Sequence, residues 1–196
     1  MMQIAEDICE VGRRMYAREL VSSNDGNISV RIDSDKMLIT PTLTCKGFMR
    51  PSDMVLMDFD GNIIKGKNKP SSEYMLHAAV YMAGGGINAV VHAHPVTVCA
   101  FAVVGRSVDM KYMPEAAVTL GDFPLAEYAK PGTRGLAKSV EPFVKDYNGC
   151  LLANHGAVSW SKDLFAAYYL MEQLEFYCKT SIIAERIGKP DIIPNF

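Results

Sequence analysis

The sequence has few histidines and no closely spaced cysteines. It contains four histidines and five cysteines, and the cysteines are scattered without a C-x-x-C pair. An odd number of dispersed cysteines argues against a disulfide framework and against a thiolate zinc site. Free cysteines among apolar neighbours are typical small core residues. A metal ion in this protein would therefore have to take nitrogen and oxygen ligands.

The sequence also lacks a strong charge of either sign and a long apolar run. The formal net charge is -2, which gives no basic surface for nucleic acid and no polybasic signal for a membrane. No apolar run reaches the length of a membrane span, and residues 1–10 lack the basic-then-apolar order of a signal peptide. We therefore expect a cytoplasmic protein that binds neither nucleic acid nor a membrane.

What is present fits one α/β domain, which we expect to span residues 1–196. A hydrophobic fraction of 49% and a charged fraction of 21% are ordinary for a globular protein, and the length suits one core. Helical periodicity predicts helices at 3–20, 96–104, 133–147 and 161–186. A further helix is predicted to start within the segment 69–73 and to end at residue 83. Strands are predicted at 28–32, 37–40, 55–59, 63–64, 87–94, 150–155 and 158–160. The hairpins favour a largely antiparallel sheet with helices packed on it.

Three of the histidines stand at the ends of predicted strands. His92 and His94 are one residue apart, and alternate strand residues project to the same face. His155 ends another apolar strand and could add a third nitrogen. Three protein ligands with an open position are typical of catalytic zinc. Satisfied core histidines are the alternative, and imidazoles also suit other divalent transition metals.

Glu73 is the candidate general base. It lies in the first turn of its predicted helix, where the helix dipole alone favours an acid. Beside a metal it would be well placed to exchange a proton. His77 follows four residues later on the same helix face, and we interpret it as a supporting residue rather than a fourth ligand.

Three short polar segments predict an anion site. Ser71 and Ser72 precede the helix of Glu73, where free N–H groups and hydroxyls favour an anion, although a simple helix cap is the plainer interpretation. Gly26 and Asn27 belong to a loop that would allow main-chain amides to approach a phosphate closely, although a simple turn is the alternative interpretation. Thr42 adds a hydroxyl after another strand. Together these residues outline a phosphate cradle.

These segments together resemble the class II aldolase/adducin-head family. The resemblance implies a three-layer α/β/α sandwich with a mainly antiparallel central sheet, assembled as a homotetramer with sites at subunit interfaces. It covers nearly the whole chain. The matching blocks are Gly26-Asn27-Ile28-Ser29, Ile39-Thr40-Pro41-Thr42, Pro70-Ser71-Ser72-Glu73, His92-Ala93-His94 and Asn154-His155-Gly156.

The resemblance also implies roles for the candidate residues. His92, His94 and His155 would hold one Zn²⁺ per subunit, and Glu73 would exchange a proton with a small phosphorylated sugar. Tyr112 matches a tyrosine that acts as proton donor from a neighbouring subunit; by itself it would be interpreted as a packing aromatic. The positions that match the family's phosphate site are Gly26, Asn27, Thr42, Ser71 and Ser72.

The activity implied is reversible cleavage of a ketose 1-phosphate to dihydroxyacetone phosphate and an aldehyde. The same scaffold supports 4-epimerisation of a pentulose phosphate, decarboxylation of a sugar-acid phosphate and dehydration of methylthioribulose phosphate. A non-catalytic module like the adducin head is disfavoured, because that relative is understood to lack the metal ligands. One departure from the family is Leu43, which replaces a glycine after Pro41-Thr42. Its side chain predicts an altered phosphate pocket.

Overall fold

A central sheet of eight strands organises the computed structural model, which describes residues 1–108 and 110–194. The strands are β1 Asn27–Arg31, β2 Lys36–Ile39, β3 Val55–Asp58, β4 Ile63–Lys65, β5 Ala89–Ala93, β6 Leu125–Ala126, β7 Gly149–Leu152 and β8 Gly156–Ser161. Their order across the sheet is β4-β3-β2-β1-β5-β8-β7-β6. Among these described strands, only β6 and β7 pair in parallel.

Helices cover both faces of this sheet. They are α1 Met2–Ala17, α2 Tyr74–Ala83, α3 Val96–Val103, α4 Arg134–Val140 and α5 Leu164–Ile187. The helices α1, α3 and α5 contribute to one buried apolar cluster, and α2 and α4 contribute to the other. The predicted three-layer sandwich with a mainly antiparallel sheet is confirmed. Within the described residues, no helix is both long enough and apolar enough to cross a membrane.

The middle strand β5 explains how one apolar run serves two cores. Its side chains alternate between the faces of the sheet, so that Val91 joins the core under α1, α3 and α5, while Val90 joins the core under α2 and α4. Both residues are fully buried. A strand that is covered on both faces needs this continuous hydrophobic sequence. Strand β5 carries His92 on the same face of the sheet as Val90.

Helix α4 is shorter than predicted. The sequence pattern predicted one helix over 133–147, whereas α4 ends at Val140 and a short 3₁₀ turn follows at Glu141–Phe143. Pro142 explains the break, because proline has no amide hydrogen and its ring clashes with the carbonyl four residues earlier.

The buried face of α2 also differs from the predicted one. The helical period of the sequence predicts that Met75, Ala79 and Met82 form the buried stripe of this helix, but Met82 is 68% exposed. Leu76 and Val80 instead pack into the core. The helix is apolar on nearly every side, so its hydrophobic periodicity did not define which side faces the sheet.

Gly26 is held in a tight space at the start of β1. Its φ angle is +70°, and an added Cβ would lie 2.6 Å from Val21 Cγ1 and 2.8 Å from the carbonyl oxygen of His92. We expect Gly26→Ala to lower the free energy of unfolding by about 2–5 kcal/mol. A left-handed backbone costs a residue with a side chain about 1–2 kcal/mol, and overpacking costs about 1–3 kcal/mol.

Gly105→Ala is the matched control for this prediction. Gly105 has φ +69°, but no described atom lies within 4 Å of an added Cβ. We therefore expect only the backbone cost of about 1–2 kcal/mol. Urea unfolding of both variants measures the difference. Equal losses in the two variants would mean that the close contact with His92 does not constrain position 26.

Candidate metal centre and active site

Three histidine side chains converge at one edge of the sheet. His92 is in β5, His94 lies just beyond its end, and His155 lies in the turn between β7 and β8. The Nε2 atoms of His92 and His94 are 3.0 Å apart. One ring nitrogen from each of the three residues lies within 4.8 Å of the others. The structure thus brings together all three histidines that the sequence singled out.

A turn that contains a residue with a left-handed backbone conformation positions His155 in the cluster. The sequence pattern predicted a strand through His155 and a turn at Gly156, whereas Leu152 pairs with Gly156 and the turn lies between them. Asn154 has φ +56°, a conformation that asparagine tolerates better than most residues. Gly156 allows the close approach to β5, because an added Cβ would lie 2.5 Å from the carbonyl oxygen of Ala93.

The ring nitrogens that point away from the cluster have different partners. Nδ1 of His92 lies 2.9 Å from the carbonyl oxygen of Ala157, so Nδ1 carries the proton and donates it. This hydrogen bond fixes the ring and directs Nε2 into the cluster. Nδ1 of His94 lies 3.5 Å from Oδ2 of Asp25.

Two of the imidazoles are neutral near pH 7. Burial, with a smaller contribution from neighbouring His92, lowers the pKa of His94 to about 4. Burial and then His92 lower the pKa of His155 to about 3. A neutral imidazole is the form that binds a metal ion. Both side chains are therefore in a state suited to ligation.

Glu73 closes the fourth side of the cluster from the N-terminal end of α2. Its Oε2 lies 3.1 Å from Nε2 of His92, and its Oε1 lies 3.6 Å from Nε2 of His155. Burial by itself raises the pKa of Glu73, but the attraction of His92 and His155 and the hydrogen bond from Asn27 outweigh it and hold the pKa well below its usual range. Glu73 is thus a buried carboxylate beside three imidazoles.

The arrangement fits a divalent cation. Oε1 of Glu73 and Nδ1 of His155 are buried without a hydrogen-bond partner among the described residues. A buried carboxylate oxygen without a partner is unfavourable, and a neighbouring cation would compensate for it. Tetrahedral zinc with Zn–N bonds of about 2.0–2.1 Å requires nitrogen atoms about 3.3 Å apart. The 3.0 Å between the His92 and His94 nitrogens is close to that spacing.

The residues predicted to bind phosphate lie on three neighbouring segments. The first segment leads into the first residue of β1, the second follows β2, and the third precedes α2. An isolated bridge between Pro41 and Pro70 holds the second and third side by side. The main-chain N–H of Thr42 donates to the carbonyl of Lys69 at 3.0 Å, and that of Ser71 donates to the carbonyl of Thr40 at 3.1 Å. The predicted residues are Gly26, Asn27, Thr42, Ser71 and Ser72.

Some of these side chains already have protein partners. Asn27 is 4% exposed, and its Nδ2 donates to Oε2 of Glu73 at 2.9 Å. Oγ of Ser71 accepts from the main-chain N–H of Glu73 at 3.3 Å, a local side-chain-to-backbone contact in the turn that leads into α2. Ser72 is exposed. Asn27 and Ser71 therefore support Glu73 directly, and their contact with phosphate stays a prediction.

Lys46 was not singled out from the sequence, and no motif marks it. It is 1% exposed, and its Nζ donates to the carbonyls of Asn24 and Thr44. These acceptors belong to the loop before Gly26 and to the loop after Thr42. Burial lowers the pKa of Lys46 to about 8. The buried ammonium group joins two of the three predicted phosphate segments.

Leu43 keeps the backbone shape that a glycine would adopt. Its φ angle is +55°, and the residue is 80% exposed. We expect Leu43→Gly to raise the free energy of unfolding by no more than about 1.5 kcal/mol, since relief of about 1–2 kcal/mol of backbone cost is offset by about 0.5–1 kcal/mol of glycine entropy. The dissociation constant for inorganic phosphate should change less than about threefold, or under 1 kcal/mol. Isothermal titration calorimetry measures this dissociation constant. If Leu43→Gly bound phosphate much more tightly than the wild type, the leucine side chain would obstruct the pocket.

The structure does not place Tyr112 beside the histidines of its own chain. Tyr112 ends a short 3₁₀ turn and lines a cavity of about 210 Å³ with Tyr177, Ser181 and Asp191. The predicted role of Tyr112 in the site of a neighbouring subunit stays a prediction.

Comparisons with known proteins agree with this geometry. The family model described as "Class II Aldolase and Adducin N-terminal domain" matches residues 6–182. An L-fuculose phosphate aldolase of Methanocaldococcus jannaschii is 34% identical over 89% of this chain and 93% of its own length. A 3-oxo-tetronate 4-phosphate decarboxylase of Cupriavidus necator is 34% identical over 96% of this chain and 91% of its own length.

A solved structure gives the same result at the level of the fold. An L-fuculose 1-phosphate aldolase superposes with a TM-score of 0.91 and is 29% identical, covering 98% of this chain and 91% of the other. The match extends over the sheet, the helices and the segment that carries the histidines. The chain therefore belongs to the class II aldolase and adducin N-terminal domain family and is, with these relatives, an enzyme of the metal-dependent class II lyases.

Proposed function

We propose that this protein is a zinc-dependent aldolase that reversibly cleaves a ketose 1-phosphate to dihydroxyacetone phosphate and an aldehyde. The observation that carries the proposal is the buried Glu73 carboxylate, 3.1 Å from His92 in a cluster of three histidines. Relatives named L-fuculose phosphate aldolase support this reaction class. We also propose a cytoplasmic homotetramer in which residues 1–196 form one domain, as the single sheet suggests.

His92, His94 and His155 would hold the ion in this proposal. When bound, Zn²⁺ supplies a Lewis acid that stabilises negative charge developing on the substrate oxygens. Glu73 moves the proton. In condensation, its carboxylate removes a proton from the carbon next to the ketone, and in cleavage the same oxygen returns that proton to carbon. Oε1 is available for this transfer, since it has no hydrogen-bond partner among the described side chains and main-chain groups.

Recognition of the phosphate would fix the orientation of the substrate. Gly26, Thr42, Ser71 and Ser72 would form the cradle, with the buried charge of Lys46 between two of its loops. A group bound away from the reacting carbon holds the substrate in a reactive position at little further entropic cost. Tyr112 of a neighbouring copy would give a proton to the aldehyde oxygen in condensation and take it back in cleavage.

The test is a substrate panel with metal-replete protein. Ketose 1-phosphates, including L-fuculose 1-phosphate, are incubated with the enzyme, and dihydroxyacetone phosphate is followed through a coupled NADH-linked reductase. We expect release with at least one sugar and its loss in Glu73→Gln. Absence of release across the panel, in protein that carries a full equivalent of metal, would refute the aldolase proposal.

A decarboxylase is the second candidate, because the Cupriavidus necator relative is as similar as the aldolase from Methanocaldococcus jannaschii. Loss of carbon dioxide from a 3-oxo acid also leaves an enolate, so the same site could stabilise it. Glu73 would then only pass a proton taken from solvent to the enolate carbon. Release of carbon dioxide from 3-oxo-tetronate 4-phosphate, with no aldehyde formed from the sugar panel, would favour this candidate.

A further inference from the structure

We propose that a buried chain of hydrogen-bonded side chains positions Glu73 for proton transfer. The chain runs from Tyr81 through Ser29, His77 and Asn27 to the Glu73 carboxylate. This inference rests on the proposed function, in which Glu73 is the group that exchanges the proton. It makes His77, Ser29 and Tyr81 positioning residues that act through Asn27 and touch no substrate.

The chain is a ladder between one helix and one strand. Glu73, His77 and Tyr81 are spaced by four residues at the start of and along α2, so they lie on one helix face. Asn27 and Ser29 are two residues apart in β1 and project to the same face of the sheet. Side chains from the helix and the strand therefore alternate along the ladder.

Four contacts connect the five side chains. Oγ of Ser29 lies 2.7 Å from the hydroxyl of Tyr81 and 2.7 Å from Nδ1 of His77. Nε2 of His77 makes a short contact with Oδ1 of Asn27. Nδ2 of Asn27 lies 2.9 Å from Oε2 of Glu73. No gap in hydrogen bonding separates Tyr81 in the core from the carboxylate in the site.

The chemistry of the groups fixes the direction of every bond. A carboxylate only accepts, so Asn27 must turn its amide nitrogen to Glu73 and its oxygen to His77. His77 must then carry a proton on Nε2. Burial lowers the pKa of His77 to about 3, so the ring is neutral and Nδ1 accepts from Ser29. The Ser29 oxygen in turn accepts from Tyr81. Every donor thus points towards Glu73.

The burial of the ladder distinguishes it from an ordinary surface network. Ser29 and His77 are 0% exposed and Tyr81 is 1% exposed. Buried polar groups are unfavourable unless they are paired, and aligned hydrogen bonds in such surroundings strengthen one another. The aligned hydrogen bonds end on Oε2 of Glu73 and hold it in place. Oε1 remains as the free oxygen beside His155.

Replacing His77 tests the positioning role. We expect His77→Leu, which has no donor, to lower kcat by about 10–100-fold, the usual effect of losing an orienting partner, with KM changed less than about threefold, or under 1 kcal/mol. His77→Gln keeps an amide donor that can face Asn27 and should recover kcat to within about fivefold of the wild type, or about 1 kcal/mol. Val80→Ala is the control, because it loosens the same helix outside the ladder.

A milder variant keeps the test valid if His77→Leu does not fold. Ser29→Ala separates Tyr81 from His77 but leaves the contact between Asn27 and Glu73 intact. We expect kcat to fall about three- to tenfold, which corresponds to one neutral hydrogen bond. A kcat equal to that of Val80→Ala in Ser29→Ala and in every folded His77 variant would overturn the proposal.

A nitrogen-15 NMR experiment separates this inference from the proposed function. In metal-replete protein with labelled histidine, His77 should carry its proton on Nε2 and none on Nδ1. The opposite tautomer or a doubly protonated ring would overturn the ladder even in an active enzyme. Conversely, the expected tautomer in a protein that cleaves no sugar would refute the aldolase while leaving the hydrogen-bond direction supported.

Discussion

Replacing Glu73 with glutamine is expected to lower kcat for cleavage by about 10³-fold while the protein keeps its fold and its metal. Glutamine has nearly the shape of glutamate, and its carbonyl oxygen can still accept the hydrogen bond that Asn27 donates at 2.9 Å. An amide, however, cannot carry the proton that cleavage delivers to carbon, and it cannot accept one from carbon in condensation. A positioned general base contributes about 10²–10⁴-fold to a rate, and Glu73 is the carboxylate that lies within 3.6 Å of two of the clustered histidines.

The measurement is steady-state kinetics on the best substrate, with metal content and the unfolding midpoint recorded for each protein. Glu6→Gln removes an exposed carboxylate from α1 and is the matched control; its kcat should equal that of the wild type. If Glu73→Gln retains kcat within tenfold at full metal content, Glu73 is not the group that transfers the proton. A reduction of only about tenfold on a 3-oxo acid would agree with the decarboxylase, since water can return a proton to a stabilised enolate.

The histidine cluster could be predicted from the sequence because its geometry is local. His92 and His94 are one residue apart on a strand, so the period of two brings both rings to one side whatever the rest of the fold does. The position of His155 was harder to predict, because it depends on the turn between two strands. Its strand was correctly placed next to a turn, but the left-handed residue that turns the chain is Asn154 rather than Gly156. A shift of two residues in the turn still left His155 at the same edge.

The partners of Glu73 could not be predicted in the same way. The spacing of Glu73 and His77 showed one helix face, but the pairing of that face with Asn27 and Ser29 depends on which side of α2 meets the sheet. The apolar sequence of α2 did not define that side, as the exposed Met82 shows. Lys46 was missed for a related reason: its partners are main-chain carbonyls, which leave no pattern in the sequence.

For Tyr112, neither the sequence pattern nor the structure of one chain defines a role. The resemblance assigns it to the site of another subunit, and in this chain it lines a cavity together with Tyr177 and Asp191. No periodicity within one chain encodes a contact between copies. Leu43 is a different case: the sequence predicted an altered phosphate pocket, the structure shows an exposed side chain on a left-handed backbone, and the effect on phosphate stays a prediction.

Removal of the metal should abolish turnover, and its return should stabilise the protein through the three histidines. With Zn²⁺ at 100 times its dissociation constant, binding to the folded state adds about 2.7 kcal/mol. For a chain of this length, that amount raises the unfolding midpoint by about 5–10 °C. We expect this shift in chelator-treated wild-type protein on addition of Zn²⁺, measured by differential scanning calorimetry, and we expect turnover to return with it.

His155→Ala should remove most of that shift, since two imidazoles remain where the open catalytic site needs three. His155 is the best ligand to replace, because it lies in a turn and its Nδ1 has no partner among the described residues. Replacing His92 would also leave the Ala157 carbonyl without its donor. His77→Gln is the control: His77 lies behind Asn27 rather than in the cluster, so this variant should keep the full shift. A full shift in His155→Ala, or its loss in His77→Gln, would place the metal elsewhere than between His92, His94 and His155.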